Sequence, residues 1–207
     1  DLARNDLAHS GSLLVANNGL AELYLSSNKL TSFACCDILA ALKTNTTLRT
    51  LFLSSNRGQP YVKSPGFVCD FLSCNDTLES LDISGIDFQD DDIAYLCDDL
   101  TRNKRLHYLC VDNTFEKTLN ASLLVHMLTS NRALRYLEIE DVDVVYDVSL
   151  ACLAAALCHN PVIEYLGFIA NSRSLEALLN RNTHNNGMKH KTLASLAFGR
   201  FANKPSK

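Results

Sequence analysis

The stretch NRALRYLEIEDV, residues 131–142, sets Leu134, Leu137 and Ile139 at the offsets of a short buried strand, with Tyr136, Glu138 and Glu140 between them. Neighbouring side chains on a strand point to opposite faces, so the aliphatic residues take the core and the tyrosine and acids take the other side. The pattern recurs as LAELYLSSN at Leu20, LRTLFLSSN at Leu48, LESLDISGI at Leu78, LHYLCVDNT at Leu106, IEYLGFIAN at Ile163 and LASLAFGRF at Leu193. Successive starts lie 28, 30, 28, 28, 29 and 30 residues apart. A period this regular marks a stacked array, because one unit alone cannot bury its apolar face.

A second marker keeps the same step. Three residues before the strands lie Asn17, Asn45, Asn75, Asn103, Asn131 and Asn160, with His190 in the seventh place. Three residues before five of those asparagines lies Leu42, Leu72, Leu100, Leu128 or Leu157. Each unit therefore reads as a strand L-x-x-L-x-L, a turn, a helix with its core leucine, and an asparagine that ends the helix. Asparagine tolerates the left-handed backbone that helix ends often adopt, which predicts that conformation at these positions.

On these motifs the chain resembles the leucine-rich repeat family, in the long-repeat, helix-containing class typified by ribonuclease inhibitor. It is also similar to the leucine-rich-repeat effectors that intracellular bacteria deliver into host cells, and the family includes innate sensors and actin-filament regulators. The resemblance implies an α/β leucine-rich repeat solenoid, a horseshoe with a parallel β-sheet on its concave face and helices on its convex face. Residues 1–207 would form a single domain with strands starting near 20, 48, 78, 106, 134, 163 and 193. Residues 172–207 would supply a terminal helix and a degenerate cap. The family's buried turn asparagine is present as Asn28, Asn56 and Asn171, and replaced by Ile86, Thr114, Val142 and Phe201. Apolar packing and irregular turns are expected in the middle of the array. RGQPYVKSPG (57–66), with two prolines and two glycines, predicts a bulging loop before a shortened helix. The first unit has a helix-end signature, SLLVANN, and no strand before it, so the array either starts on a helix or has lost sequence upstream, where a signal or transit segment could have stood.

Composition narrows the class. The 207 residues are 47% hydrophobic, and no stretch approaches the roughly 20 apolar residues of a membrane span. Of the eight cysteines, Cys69 and Cys97 fall where other units carry Leu39, Val125 and Ala154, which makes them packing residues. There is no C-x-x-C pair, and His107 and Cys110, three apart on a strand, point to opposite faces. Reduced, structural cysteines favour a reducing, cytoplasmic setting, the host cytosol for a delivered effector. Sequons at Asn45, Asn75 and Asn120 leave that expectation standing, since the first two coincide with the helix-stop position. DFQDDD (87–92) lacks the glycine and spaced glutamate of a calcium hand and reads as a solvated helix start. The C-x-D runs Cys35–Asp37 and Cys97–Asp99 are reminiscent of some bacterial ubiquitin ligases but fall on repeat helices. No phosphate loop or nucleophile elbow is present. No enzymatic activity, cofactor, bound metal or small-molecule substrate is expected.

What remains is a surface. The x positions of L-x-x-L-x-L face the concave wall, giving one column of Glu22, Thr50, Ser80, Tyr108, Tyr136, Tyr165 and Ser195. The next is Tyr24, Phe52, Asp82, Cys110, Glu138, Gly167 and Ala197. A third runs Ser26, Ser54, Ser84, Asp112, Glu140, Ile169 and Gly199. Tyr108, Tyr136 and Tyr165 thus form a ladder of solvent-facing anchors beside Asp82, Asp112, Glu138, Glu140 and Asp141, with Tyr24 and Phe52 as a separate aromatic spot. Tyrosine offers large contact area with few rotatable bonds. Residues 1–176 carry a net charge of −10 and residues 177–207 one of +6. An acidic wall repels nucleic acid, and the basic tail reads as a solvated end rather than a membrane anchor. The sequence therefore predicts a protein-interaction module for a partner with a basic or mixed surface, a scaffold or an inhibitor that covers its target's active site. The alternative is the substrate-recognition portion of a larger enzyme, such as a ubiquitin ligase.

Overall fold

A computed structural model of the chain describes residues 17, 19–56, 69–86, 92–112, 119–139, 144–145, 150–167, 177 and 179–182. Strands and helices alternate in the order β1 (Glu22–Tyr24), α1 (Ser32–Ala41), β2 (Thr50–Phe52), α2 (Cys69–Leu72), β3 (Ser80–Asp82), α3 (Asp92–Arg102), β4 (Tyr108–Cys110), β5 (Leu119–Asn120), α4 (Ala121–Ser130), β6 (Tyr136–Glu138), β7 (Val144–Val145), α5 (Leu150–His159) and β8 (Tyr165–Leu166). β1, β2, β3, β4, β6 and β8 form one parallel sheet in that order. β5 and β7 pair separately, a small ladder that the repeat pattern does not foretell. The expected leucine-rich repeat solenoid is present, with helices closing each strand-to-strand crossover as parallel pairing demands.

Register follows the repeat. Leu23, Leu51, Leu81, Leu109, Leu137 and Leu166 lie side by side across the sheet. All six are buried, together with the flanking strand residues Leu25, Leu53, Ile83, Val111 and Ile139 and the helix residues Leu39, Leu96, Leu124 and Leu153. The formal strands are three residues long or fewer, but the backbone ladder runs on into the turns: Leu25 N donates to Phe52 O at 2.8 Å, Ser55 N to Ser84 O at 2.7 Å and Gly85 N to Asp112 O at 2.8 Å. The seventh strand expected at Leu193, the cap after residue 182 and the loop 57–66 lie outside the described residues.

The recurrent asparagines do something other than expected. Among the described residues, positive φ occurs at Ser27, Lys29, Ser55 and Gly85, in turns after strands, and at no asparagine. Asn131, which caps α4, has φ −71° and ψ 135°, an extended conformation. Its side chain is the reason it recurs. Asn131 Oδ1 accepts from the backbone N–H groups of Ala133 and Leu134 at 2.9 and 2.8 Å, and its Nδ2 donates to Leu100 O and Asn103 O of the preceding unit at 2.6 and 3.1 Å. Asn75, Asn103 and Asn160 repeat the same set of bonds, Asn45 joins them by donating to Asn17 O, and Asn182 donates to Asn160 O and Ile163 O. Helix ends leave carbonyls without intrahelical partners, and a carboxamide supplies both the donors for those carbonyls and the acceptor for the loop that follows. This ladder is the continuous seam of the solenoid. It also occupies both hydrogens of the Asn75 amide, which argues against a glycan on that sequon in the folded chain.

The turn asparagines form a second, shorter ladder. Asn56 Nδ2 donates to Leu25 O and Leu53 O, while its Oδ1 accepts from the backbone of Asn28 and Leu30. It stops at Ile86, which is fully buried, where apolar packing takes over as the substitution implies. Thr114, Val142, Asn171 and Phe201 lie outside the described residues. Cys35 and Cys97 pack in the core, where burial pushes both thiols up to about 12. Such thiols are poor nucleophiles, which argues against reading either C-x-D run as catalytic. Asp92, expected on a solvated helix start, is in the first turn of α3 but buried.

Candidate functional site

The concave columns are set by strand register. Thr50, Ser80, Tyr108, Tyr136 and Tyr165 are consecutive cross-strand partners, as are Tyr24, Phe52, Asp82, Cys110 and Glu138. The three tyrosines do stand on neighbouring strands. They are not equally solvent-facing, however: Tyr108 is only 6% exposed, Tyr136 is half-buried and Tyr165 is 38% exposed.

The cause is the small residue on β3. Ser80 leaves room above it, and Phe52 and Tyr108 close over the gap from either side, their ring centroids 6.3 Å apart. Tyr24 then packs edge-on against Phe52 at 5.2 Å and 87°. The two aromatic spots expected from sequence are thus one cluster, with Phe52, Tyr108 and Cys110 buried and Tyr24 and Tyr136 packed against them. Ring pairs of this kind add about 0.5–1.5 kcal/mol beyond the area they bury.

The acids meet on the same wall. Asp82 accepts from Ser84 Oγ at 2.6 Å and Ser84 N at 3.0 Å, and Ser54 also reaches it, yet burial and the nearby Asp112 hold its carboxyl above the usual range. Glu138 is raised as well, first by burial and then by Asp112 and Asp82, although it accepts hydrogen bonds from Cys110 and Tyr108. Burial likewise pushes the Cys110 thiol and the Tyr108 phenol up. Cys110 Sγ lies 3.4 Å from Asp112 Oδ2. Glu140 and Asp141 lie outside the described residues.

Because burial keeps the Asp82 carboxyl above its unfolded value of 3.8, the folded chain binds this proton more tightly than the unfolded chain does. Stability from this group is therefore gained as pH falls through the folded value and forfeited as pH rises above it. Asp82→Asn, which keeps an acceptor for Ser84, is expected to raise the melting temperature at neutral pH. The gain should shrink in acid, and thermal melts at both pH values check it.

Beside this wall runs a row of alternating charge that the concave reading passed over. It occupies the first x position of five consecutive units: Arg49, Glu79, His107, Arg135 and Glu164. Arg49 Nη1 lies 2.8 Å from Glu79 Oε1, Arg105 Nη2 3.6 Å from the same oxygen, and Arg135 Nη1 3.7 Å from Glu164 Oε1. Glu164 is buried and also accepts from Tyr136 OH at 2.9 Å, which ties the middle tyrosine to the next strand. Reading one column of the repeat alignment for sign alternation would have revealed the row.

His107 sits within it, lowered from 6.5 by burial and by Arg135 and Arg105 against the opposing pull of Glu79. A histidine with a depressed folded value binds fewer protons when folded, so its contribution is present above the unfolded value and lost as pH falls below it. Wild type should lose more stability than His107→Gln between about pH 7.5 and pH 5.5, as read by urea unfolding at each pH.

No protein-family model and no curated protein sequence matches the chain. Solved structures do. Leiomodin-1 actin-binding site 2 aligns with a TM-score of 0.54 at 17% identity, covering 95% of this chain and 98% of that one. The tropomodulin C-terminal domain of Caenorhabditis elegans aligns with a TM-score of 0.55 at 11% identity, covering 95% and 99%. These similarities concern the fold. They correct the expected subclass: the chain is similar in structure to the tropomodulin and leiomodin domains, and the resemblance to ribonuclease inhibitor and to bacterial effectors does not hold. The sequence had only the leucine-rich repeat grammar to go on, and that grammar is shared by all of these.

Proposed function

We propose that the chain is a non-catalytic protein-binding domain whose partner docks on the concave wall and meets it with basic side chains. The observation that carries this reading is the set Asp82, Asp112 and Glu138 gathered against an aromatic cluster. Two of these carboxyls, Asp82 and Glu138, are pushed up by burial and by the nearby Asp112. Such an arrangement works against folding and is favoured where a cationic surface completes it, which is why perturbed titrating groups collect at functional sites. Tyr136 and Tyr165, partly exposed at the edge of the cluster, supply apolar contact beside the acids. Their neighbours in structure include a domain described as an actin-binding site, which makes actin the first partner to test.

The test uses monomeric actin in solution together with affinity capture from a cell lysate. Each is run with the wild-type chain and with Asp112→Lys/Glu138→Lys. A partner held by wild type and released by the reversed charges supports the reading, whether or not it is actin. Identical retention on both forms would overturn it.

A further inference from the structure

The cluster on the concave wall contains a donor set of its own. Cys110 Sγ, a carboxylate oxygen of Asp112 and one of Glu138 all lie within 4.8 Å of one another. The thiol is buried and the two acids are partly buried, so this is not a scatter of surface carboxylates. We propose that Cys110, Asp112 and Glu138 form a binding site for a divalent cation of the zinc class.

The geometry is close to what such an ion needs. Zinc takes thiolate at about 2.3 Å and carboxylate at about 2.0–2.2 Å, and tetrahedral angles then separate the donors by roughly 3.3–3.8 Å. The Cys110 to Asp112 edge is already at 3.4 Å. The remaining edges, at no more than 4.8 Å, close by up to about 1.4 Å through side-chain rotation. Three protein ligands leave a fourth position for water or for a group from a partner.

The chemistry of the donors selects the ion. A thiolate with two carboxylates suits zinc or cadmium, whereas calcium and magnesium take oxygen alone. Binding replaces the Cys110 proton: the S–H bond breaks, the proton leaves to solvent, and the thiolate bonds the cation. Asp82, buried opposite Cys110 on the adjacent strand, adds a further carboxyl beside the donor set. The inference stands apart from the protein-binding reading, since it requires no partner. It revises the expectation of a metal-free chain. Along the sequence the candidate donor nearest Cys110 was His107, set aside because the two point to opposite faces, whereas the neighbours of Cys110 in space come from two residues ahead and from the next strand.

The experiment is titration of the purified, reduced chain with zinc and separately with cadmium, followed by calorimetry and by the ultraviolet charge-transfer band of cadmium–thiolate bonding. The expected result is one saturable site per chain. Its affinity should weaken at least about tenfold in Cys110→Ser and in Glu138→Gln, a loss at the lower end of those caused by removing groups that support metal ligands. Circular dichroism shows that each variant is folded, and Glu138→Gln keeps the test decisive if Cys110→Ser is not. Cys152→Ser, on the exposed face of α5, should bind as wild type. Absence of a saturable site, or unchanged affinity in Glu138→Gln or in a folded Cys110→Ser, would overturn the proposal.

Discussion

Replacing Asn131 with alanine is expected to cost on the order of 3 kcal/mol or more of folding stability, although no apolar core contact is removed. The side chain makes four hydrogen bonds, two from loop N–H groups and two to carbonyls of the preceding unit. Alanine leaves all four groups without their partner in a place that is 2% exposed, and each orphaned buried group costs about 1–3 kcal/mol, partly recovered by relaxation. Asn131→Asp keeps the acceptor for the loop but sets a buried carboxylate oxygen against the Leu100 and Asn103 carbonyls in place of the two donors. Urea unfolding at neutral pH should rank wild type above both variants, with Asn131→Asp no more stable than Asn131→Ala. A loss under about 1 kcal/mol for alanine would mean the ladder decorates the seam without holding it.

Leu137→Ala is expected to cost about 2–5 kcal/mol, because the residue is buried and flanked across the sheet by Leu109 and Leu166 and its loss leaves a cavity. One position earlier, Tyr136→Ala loses a ring that is only half-buried and a hydrogen bond to Glu164 worth about 0.5–1.5 kcal/mol. Melts of the two variants should differ clearly, with Leu137→Ala the lower. Tyr108 belongs with the leucine in this respect. It is buried under the aromatic cluster, so its replacement should reduce stability and cannot serve as a clean probe of binding.

The contrast between Tyr108 and Tyr136 shows where the sequence stops being informative. Period, strand positions and sheet register were legible because six strands carry their leucines at one step, and the pairing of Leu109 with Leu137 is that step in space. Exposure along a column was not legible in the same way, since it depends on residues across the sheet: Ser80 on the adjacent strand is small, and Phe52, two strands away, therefore meets Tyr108 across it. The ladder asparagines were located but given the wrong task. From Asn45 to Asn160 their amide N–H bonds reach back 28 to 33 residues, and a reading of local helix-end preferences sees only the residues beside them. Cys110 and Glu138 were assigned to one column without being recognised as neighbours, although adjacent rungs of an aligned repeat are adjacent strands. The choice among leucine-rich repeat subclasses rested on a grammar common to all of them.

The most direct measurement compares two tyrosines on opposite faces. Tyr136 stands on the concave sheet, and Tyr95 on α3 of the convex layer is 55% exposed. Affinity for actin, or for the partner that capture identifies, is measured with Tyr136→Ala and with Tyr95→Ala after both are shown to be folded. A concave binding wall predicts that Tyr136→Ala weakens binding by about 2 kcal/mol, roughly thirtyfold, while Tyr95→Ala binds as wild type. Unchanged binding in Tyr136→Ala together with a loss in Tyr95→Ala would place the interface on the convex helices and contradict the account.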